Sequence, residues 1–292
     1  MRYFNTRSSA AGLSIASNTL LLVMKIAAGL ATGSVSVLAE AIHSGVDLVA
    51  AIIAFISVRA SGLPADDDHP FGYGKIESVS GAVEGALIFI AAGLIVKEAI
   101  DKLISGAHVD EPLIGAAVMG VSAVTNFIVS RHLHVMARTH DSLALEADAE
   151  HLRTDVITSA GVFGGLVLVQ ILRVPVLDPL LGLGVAVLIV RAAWQITSKS
   201  YQTLIDRSLP SHEIELIKTV LRDHGGRYLE FHRLRTRKSG AQRFIALDLV
   251  FSPDARLVDV HEVCDHLELE ILAVLPKSSV QIHVEPPGAI DR

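Results

Sequence analysis

The sequence contains one cysteine, Cys264, and one tryptophan in 292 residues. A single thiol excludes an intramolecular disulfide and a thiolate zinc cluster within the chain. Aromatic residues make up only 5%. Basic charge is not in excess: 25 Lys and Arg against 31 Asp and Glu leave a net charge of -6, which gives no electrostatic footprint for nucleic acid. What the chain has in quantity is small and apolar. Hydrophobic residues reach 51% and the mean hydropathy is +0.49. Soluble domains rarely average so apolar, so the bulk of the chain belongs in lipid. The abundance of Ala and Gly lets helices approach closely, which favours a packed bundle over a single anchor.

A spanning helix needs about 20 mostly apolar residues. Six stretches qualify: 11–32, 34–59, 79–100, 112–131, 143–172 and 178–199. The first is read as a retained helix, being longer than a signal-peptide core and followed by further apolar segments. A tight ATGS link joins the first two stretches and RVPVLD joins the last two, whereas PADDDHPFGYGK between the second and third is too polar for lipid. Arg2, Arg7, Arg59, Lys75, Arg131, Arg138 and Lys199 fall on one side of this map. Lys102 and Arg173 fall on the other, with Lys97 near the boundary. The positive-inside rule then places both termini in the cytoplasm, with a tail over 1–10 and a six-helix transmembrane domain over 11–200.

After residue 205 the composition turns to mixed charge. SHEIELIKTVLRDHGG opens with a Ser/Glu capping pattern and ends in glycines, as a helix would. YLEFHRLRTRKSGAQRFIALDLVF reads as two strands around a Ser-Gly turn. LVDVHEVCDHLELEILAVL has helical periodicity and SSVQIHVEP alternates like a strand. The order αββαβ over 207–292 predicts a small two-layer α+β domain.

The chemistry lies in two repeats of one pattern. EAIHSGVDLVA carries His43 and Asp47, and DAEHLRTDVIT carries His151 and Asp155. On a helix, residues at i and i+4 share a face, so each pair presents one imidazole and one carboxylate in the same direction. Were the second and fifth helices to pack together, the four groups would form a tetrahedral shell suited to Zn²⁺. Two carboxylates cancel a divalent charge, so the filled site is neutral inside the bilayer. Each pair could also be a structural hydrogen bond between helices, but two pairs at one spacing favour a shared ion. Glu40, Glu146, Asp148, Glu150 and Arg153 surround the pairs and are read mostly as the lining of a hydrated cavity. Lys25 is read as a snorkelling or paired structural lysine.

Six helices, HxxxD in the second and fifth, a DxxHPxGxGK-like loop and a C-terminal α+β domain together resemble the cation diffusion facilitator family, over nearly the whole chain. The resemblance implies a homodimeric divalent-metal/proton antiporter, six transmembrane helices and a cytoplasmic ferredoxin-like domain. HxxxD in both helices implies zinc, carried as substrate and bound as a regulatory ion. The resemblance also implies a loop metal site at Asp66 and His69, although Tyr73 stands where a third ligand would be histidine. A phenol is a poor zinc ligand at neutral pH. By the same resemblance, Lys75 and Asp206 form a hinge salt bridge. His232, Asp248, His261, His283 and Glu285 would be metal ligands in the cytoplasmic domain, an N/O set that needs no cysteine.

The expectation is therefore zinc efflux against protons across the inner or plasma membrane, with no nucleic-acid partner. Other divalent ions (Cd²⁺, Co²⁺, Fe²⁺, Mn²⁺) remain open. An intramembrane metalloenzyme would use the same four ligands, but a catalytic zinc keeps one position open, and no HExxH accompanies them. A membrane metal sensor would leave the paired motifs in lipid unexplained.

Overall fold

The computed structural model describes residues 6–32, 35–105, 112–172 and 177–288. Most of the ATGS and RVPVLD links and the start of the N-terminal tail lie outside the described residues. The chain forms two compact units, 1–201 and 202–292. The first holds six long helices: α1 (Arg7–Thr32), α2 (Val35–Ser61), α3 (Lys75–Ser105), α4 (Pro112–His140), α5 (Leu143–Leu172) and α6 (Leu177–Leu204), the last running a few residues into the second unit. Pro112 occupies the first helical position of α4, where its missing N–H costs nothing.

Besides an apolar core, the helices bury several charged and polar groups and expose large apolar side chains, which a water-soluble bundle avoids. Leu20, Val23, Ile56, Ile90, Leu94, Phe127, Ile128 and Trp194 are exposed, while Asn18, Lys25, Asp47, Glu84, Asp148 and His151 are buried. Water penalises that arrangement and a bilayer rewards it. Among the described residues, two segments, Arg7–Ala28 and Lys75–Asp101, are long and apolar enough by composition alone to cross a membrane.

Small residues set the helix packing. A Cβ placed on Gly81 would come within 2.5 Å of Ser200 Oγ, and one on Gly85 within 2.2 Å of Thr197 Oγ1. The Gly81–Gly85 repeat thus lets α3 lie directly against α6, as small-xxx-small stripes do in lipid. Elsewhere Ala10, Ala11, Val58, Leu133, Ala144, Leu145 and Leu152 fill the contact among α1, α2, α4 and α5.

One buried carboxylate ties four segments together. Glu77, in the first turn of α3, is fully buried. Its Oε1 accepts from Arg7 Nη1 at 2.8 Å and Ser61 Oγ at 2.6 Å, and its Oε2 accepts from Ser142 Oγ at 2.6 Å.

The second unit contains α7 (Ser211–Asp223), β1 (Glu230–Ser239), β2 (Gln242–Val250), α8 (Leu257–Val274) and β3 (Ser278–Glu285). The sheet order is β1-β2-β3, with β1 antiparallel to β2 and β3 parallel to it. Gly240, at φ +57, makes the two-residue β1–β2 turn that a side chain would resist. Val260, Cys264, Leu267 and Ile271 form the apolar stripe of α8, and Ile217, Val220 and Leu221 that of α7. Both stripes pack on Ile245, Leu247 and Leu249 of β2. By strand alternation, Asp248 therefore points to the sheet's other face.

The capping pattern expected at Ser211 is not formed. Pro210 is the cap residue and makes no side-chain cap bond. Glu213 is instead held by Arg243, whose Nε and Nη2 donate to it at 2.9 and 2.7 Å. A bidentate guanidinium outcompetes a backbone N–H for a carboxylate.

Glu77→Ala should destabilise the helical unit by about 2 kcal/mol, because it removes the partner of a half-buried guanidinium and of two hydroxyls. Thermal unfolding of the detergent-solubilised protein checks this, and Glu77→Gln should lose less.

Candidate metal centres

Packing of α2 against α5 brings the two motifs together. His151 Nε2 lies 3.1 Å from Asp47 Oδ1, both side chains being buried. Asp47, His151 and Asp155 each offer a ligand atom within 4.8 Å of the other two. Asp155 follows His151 by one helical turn, so the α5 pair shares a face as its spacing requires. The side chain of His43 lies outside the described residues; its backbone falls in α2, one turn before Asp47.

Around this group the helix interior is unusually polar. Ser14 Oγ donates to Asp148 Oδ1 at 3.1 Å, and Asp148 is buried where the sequence suggested a hydrated lining. Asp148 Oδ2, Glu84 Oε2 and His151 Nδ1 are buried with no hydrogen-bond partner among the described residues. Such atoms are costly in a dry interior and call for water or an ion. Glu84 belongs to this group although no motif marks it. Its signal was a lone carboxylate in VEGALIFIAAGL, seven residues after Glu77 and so on nearly the same face. Lys25 proves to be a buried paired lysine: its Nζ donates to Ser44 Oγ at 2.8 Å, beside His43.

The loop before α3 is closed by its own side chains. Asp66 Oδ1 accepts from the His69 backbone N–H at 2.7 Å, and Asp66 Oδ2 accepts from Tyr73 Oη at 2.7 Å. The His69 and Tyr73 rings lie 4.2 Å apart. The carboxylate oxygens expected to take a metal are thus engaged by an amide and by the phenol standing in place of a histidine. The Tyr73 hydrogen bond, followed by the His69 amide, holds Asp66 below the ordinary aspartate value of 3.8.

In the second unit, the pairing register carries three of the expected ligands side by side. His232 pairs with Asp248 across β1–β2, and Asp248 with His283 across β2–β3. Glu285 follows His283 by two residues and shares its face. His232, Asp248 and Glu285 offer ligand atoms within 4.8 Å of one another. His232 Nε2 stands 3.3 Å from Glu285 Oε2 and 3.8 Å from Asp248 Oδ2, and His283 Nε2 stands 3.6 Å from Glu285 Oε1. His261 is not drawn into this group. It is exposed on α8, 3.5 Å from Asp265. Cys264 is buried, and burial raises its thiol above the usual value, so it is no ready thiolate ligand. Asp206, at φ +58 after α6, accepts from Arg237 Nη1 at 3.4 Å. Lys75 is the first residue of α3.

A helical unit with a buried His–carboxylate cluster and a second, α+β unit fit a membrane metal-cation transporter, and the comparisons agree. Residues 12–205 match the family described as cation efflux transmembrane domain, and residues 209–287 match the cation efflux protein cytoplasmic domain. The chain belongs to the cation diffusion facilitator family. It is 33% identical over 274 residues to an uncharacterized transporter of Synechocystis, sll1263, covering 94% of this chain and 88% of that protein. It is 34% identical over 285 residues to the cation-efflux pump FieF of Escherichia coli, covering 98% and 94%. The metal-bound C-terminal domain of the CzcD transporter from Thermotoga maritima is 28% identical, with a TM-score of 0.26, and covers 28% of this chain and all of that one.

Asp66 is a depressed carboxylate, so its tie to Tyr73 and the His69 amide is complete above the ordinary value and is lost as pH falls through the lowered one. Tyr73→Phe should move the Asp66 titration back up towards 3.8. Infrared titration of the carboxyl band, wild type against variant, reads that shift.

Proposed function

We propose that this transporter exports Zn²⁺ from the cytoplasm in exchange for protons. His43, Asp47, His151 and Asp155 form the shell, and α1 to α6 each cross the membrane with both termini cytoplasmic. The observation that carries the reading is the buried approach of His151 to Asp47, with Asp155 one turn on. Two imidazoles and two carboxylates suit zinc and leave the loaded site neutral.

Exchange follows from the ligands. Metal needs neutral imidazole, so metal and proton compete for the same ring nitrogens. Histidine's ordinary pKa of about 6.5 lets that competition run near physiological pH. When the site faces the cytoplasm, zinc binds as protons leave. When rocking of the helices opens it outward, protons displace zinc. Glu84 and Asp148 supply further buried oxygens beside the path, which suits passage of a cation and not a closed apolar core.

The reading extends to a homodimer joined through a ferredoxin-like cytoplasmic domain. There His232, Asp248, His283 and Glu285 bind zinc as a regulatory ion, with His261 a candidate to join them across subunits. What supports this is the register that aligns the first three in one row across the sheet. Lys75 and Asp206 are proposed as the hinge. The loop at Asp66 and His69 is the weakest of the proposed sites, since the Tyr73 phenol holds one Asp66 oxygen.

Asp47→Ala and Asp155→Ala should each abolish zinc uptake into reconstituted inside-out vesicles while the protein remains folded. A three-ligand ion would be undercoordinated and charged within lipid. Normal flux in either variant would sink the assignment. Residues 207–292 expressed alone should form a soluble dimer that binds zinc, with affinity falling below about pH 6.5 as histidines protonate. Calorimetry on His283→Ala should show weakened binding; equal binding would leave this domain without His283 as a ligand.

A further inference from the structure

Asp248 and Glu285 are only 5% and 7% exposed, although they lie on the sheet face away from α7 and α8. Two carboxylates this close and this buried repel one another unless a cation joins them. A residue of the chain itself does so. Arg233 Nε donates to Asp248 Oδ2 and Arg233 Nη2 donates to Glu285 Oε1, each forming an ion pair.

Its position depends on a defect in the strand. The register runs from His232↔Asp248 directly to Arg235↔Ala246, so Arg233 and Leu234 together oppose Leu247. This is a β-bulge, and Arg233 takes φ +50, a region side-chain-bearing residues rarely adopt. On a regular strand the residue after His232 would point to the opposite face. The bulge aims both side chains at the same two carboxylates.

We propose that Arg233 is a built-in occupant of the cytoplasmic metal site, a tethered cation that zinc must displace. The proposal rests on the reading of His232, Asp248 and Glu285 as metal ligands. The guanidinium donates to the oxygens a metal would need, including Asp248 Oδ2, which His232 Nε2 approaches to 3.8 Å. Two carboxylates neutralise one divalent ion; with Arg233 still in place, a positive charge would be left over in a half-dry pocket. Guanidinium stays charged at any physiological pH, so this competition does not fade as histidines titrate. Arg233 therefore sets a threshold: the site remains closed on itself at low zinc and opens only when zinc is abundant. Filling it frees the Arg233 side chain and removes the ion pairs that hold the bulge, which links occupancy to the conformation of β1.

The test uses the full chain in detergent with Asp155→Ala, so that the membrane site does not contribute. Zinc affinity is measured by competition with a chromophoric chelator, and thermal unfolding is followed without metal. Arg233→Gly keeps the bulge backbone at no cost in φ and removes the cation. It should bind zinc about tenfold or more tighter, the worth of losing charged hydrogen bonds that compete with the metal. Its metal-free form should melt lower than the parent and be rescued by zinc. Arg233→Lys, charged but without the fork, should fall between the two. Arg233→Gln serves the same purpose if the glycine variant fails to fold. Unchanged or weaker zinc binding by the uncharged variants would overturn the proposal. If Asp248→Asn weakens zinc while Arg233→Gly changes nothing, the metal site stands and the role of Arg233 alone falls. Parent-like binding by Asp248→Asn would remove the site and the proposal with it.

Discussion

A charge buried away from water must be matched, and this constraint organises the protein. In the helical unit Glu77 is matched by Arg7 and two serine hydroxyls, and that fixed match binds helix ends. Asp47 is faced by His151, whose charge varies with its proton. A partner that can lose its charge allows a divalent ion to take its place. Under the transport role proposed for Asp47, what separates it from a structural carboxylate is the permanence of the countercharge.

The α+β unit meets the same constraint with the opposite choice. Asp248 and Glu285 are held by Arg233, a cation that does not titrate. A histidine countercharge varies with pH as well as with metal, whereas an arginine countercharge does not vary with pH. That division suits a transporter whose membrane site must cycle with every ion carried. Under the proposed regulatory role, the His232, Asp248 and Glu285 group would need only to report how much metal is present.

Much of this was legible in the sequence because the governing patterns are local. The α5 boundaries follow from the apolar run over 143–172, and the HxxxD spacing put His151 and Asp155 on one face. The turn at Gly240 and the αββαβ order were visible in turn residues and in the change of period from 3.6 to 2. What the sequence hid depends on contacts between distant residues. Glu213 looked like a capping residue until Arg243, 30 positions away, claimed it. Glu84 became a site neighbour only when the interior of the bundle formed around it. Arg233 looked like one more basic residue in HRLRTRK, because a bulge leaves no mark in the alternation of so polar a strand.

If the buried His–carboxylate cluster exchanges a divalent ion for protons, metal and proton fluxes must be coupled. The direct measurement is zinc uptake by sealed proteoliposomes under an imposed pH gradient, with lumenal zinc and lumenal pH followed by separate dyes. An acidic lumen should accelerate zinc entry, and the lumen should turn alkaline as zinc arrives. Asp155→Ala should lose both signals together. Zinc entry at a rate indifferent to the gradient, with no proton movement in return, would contradict the account.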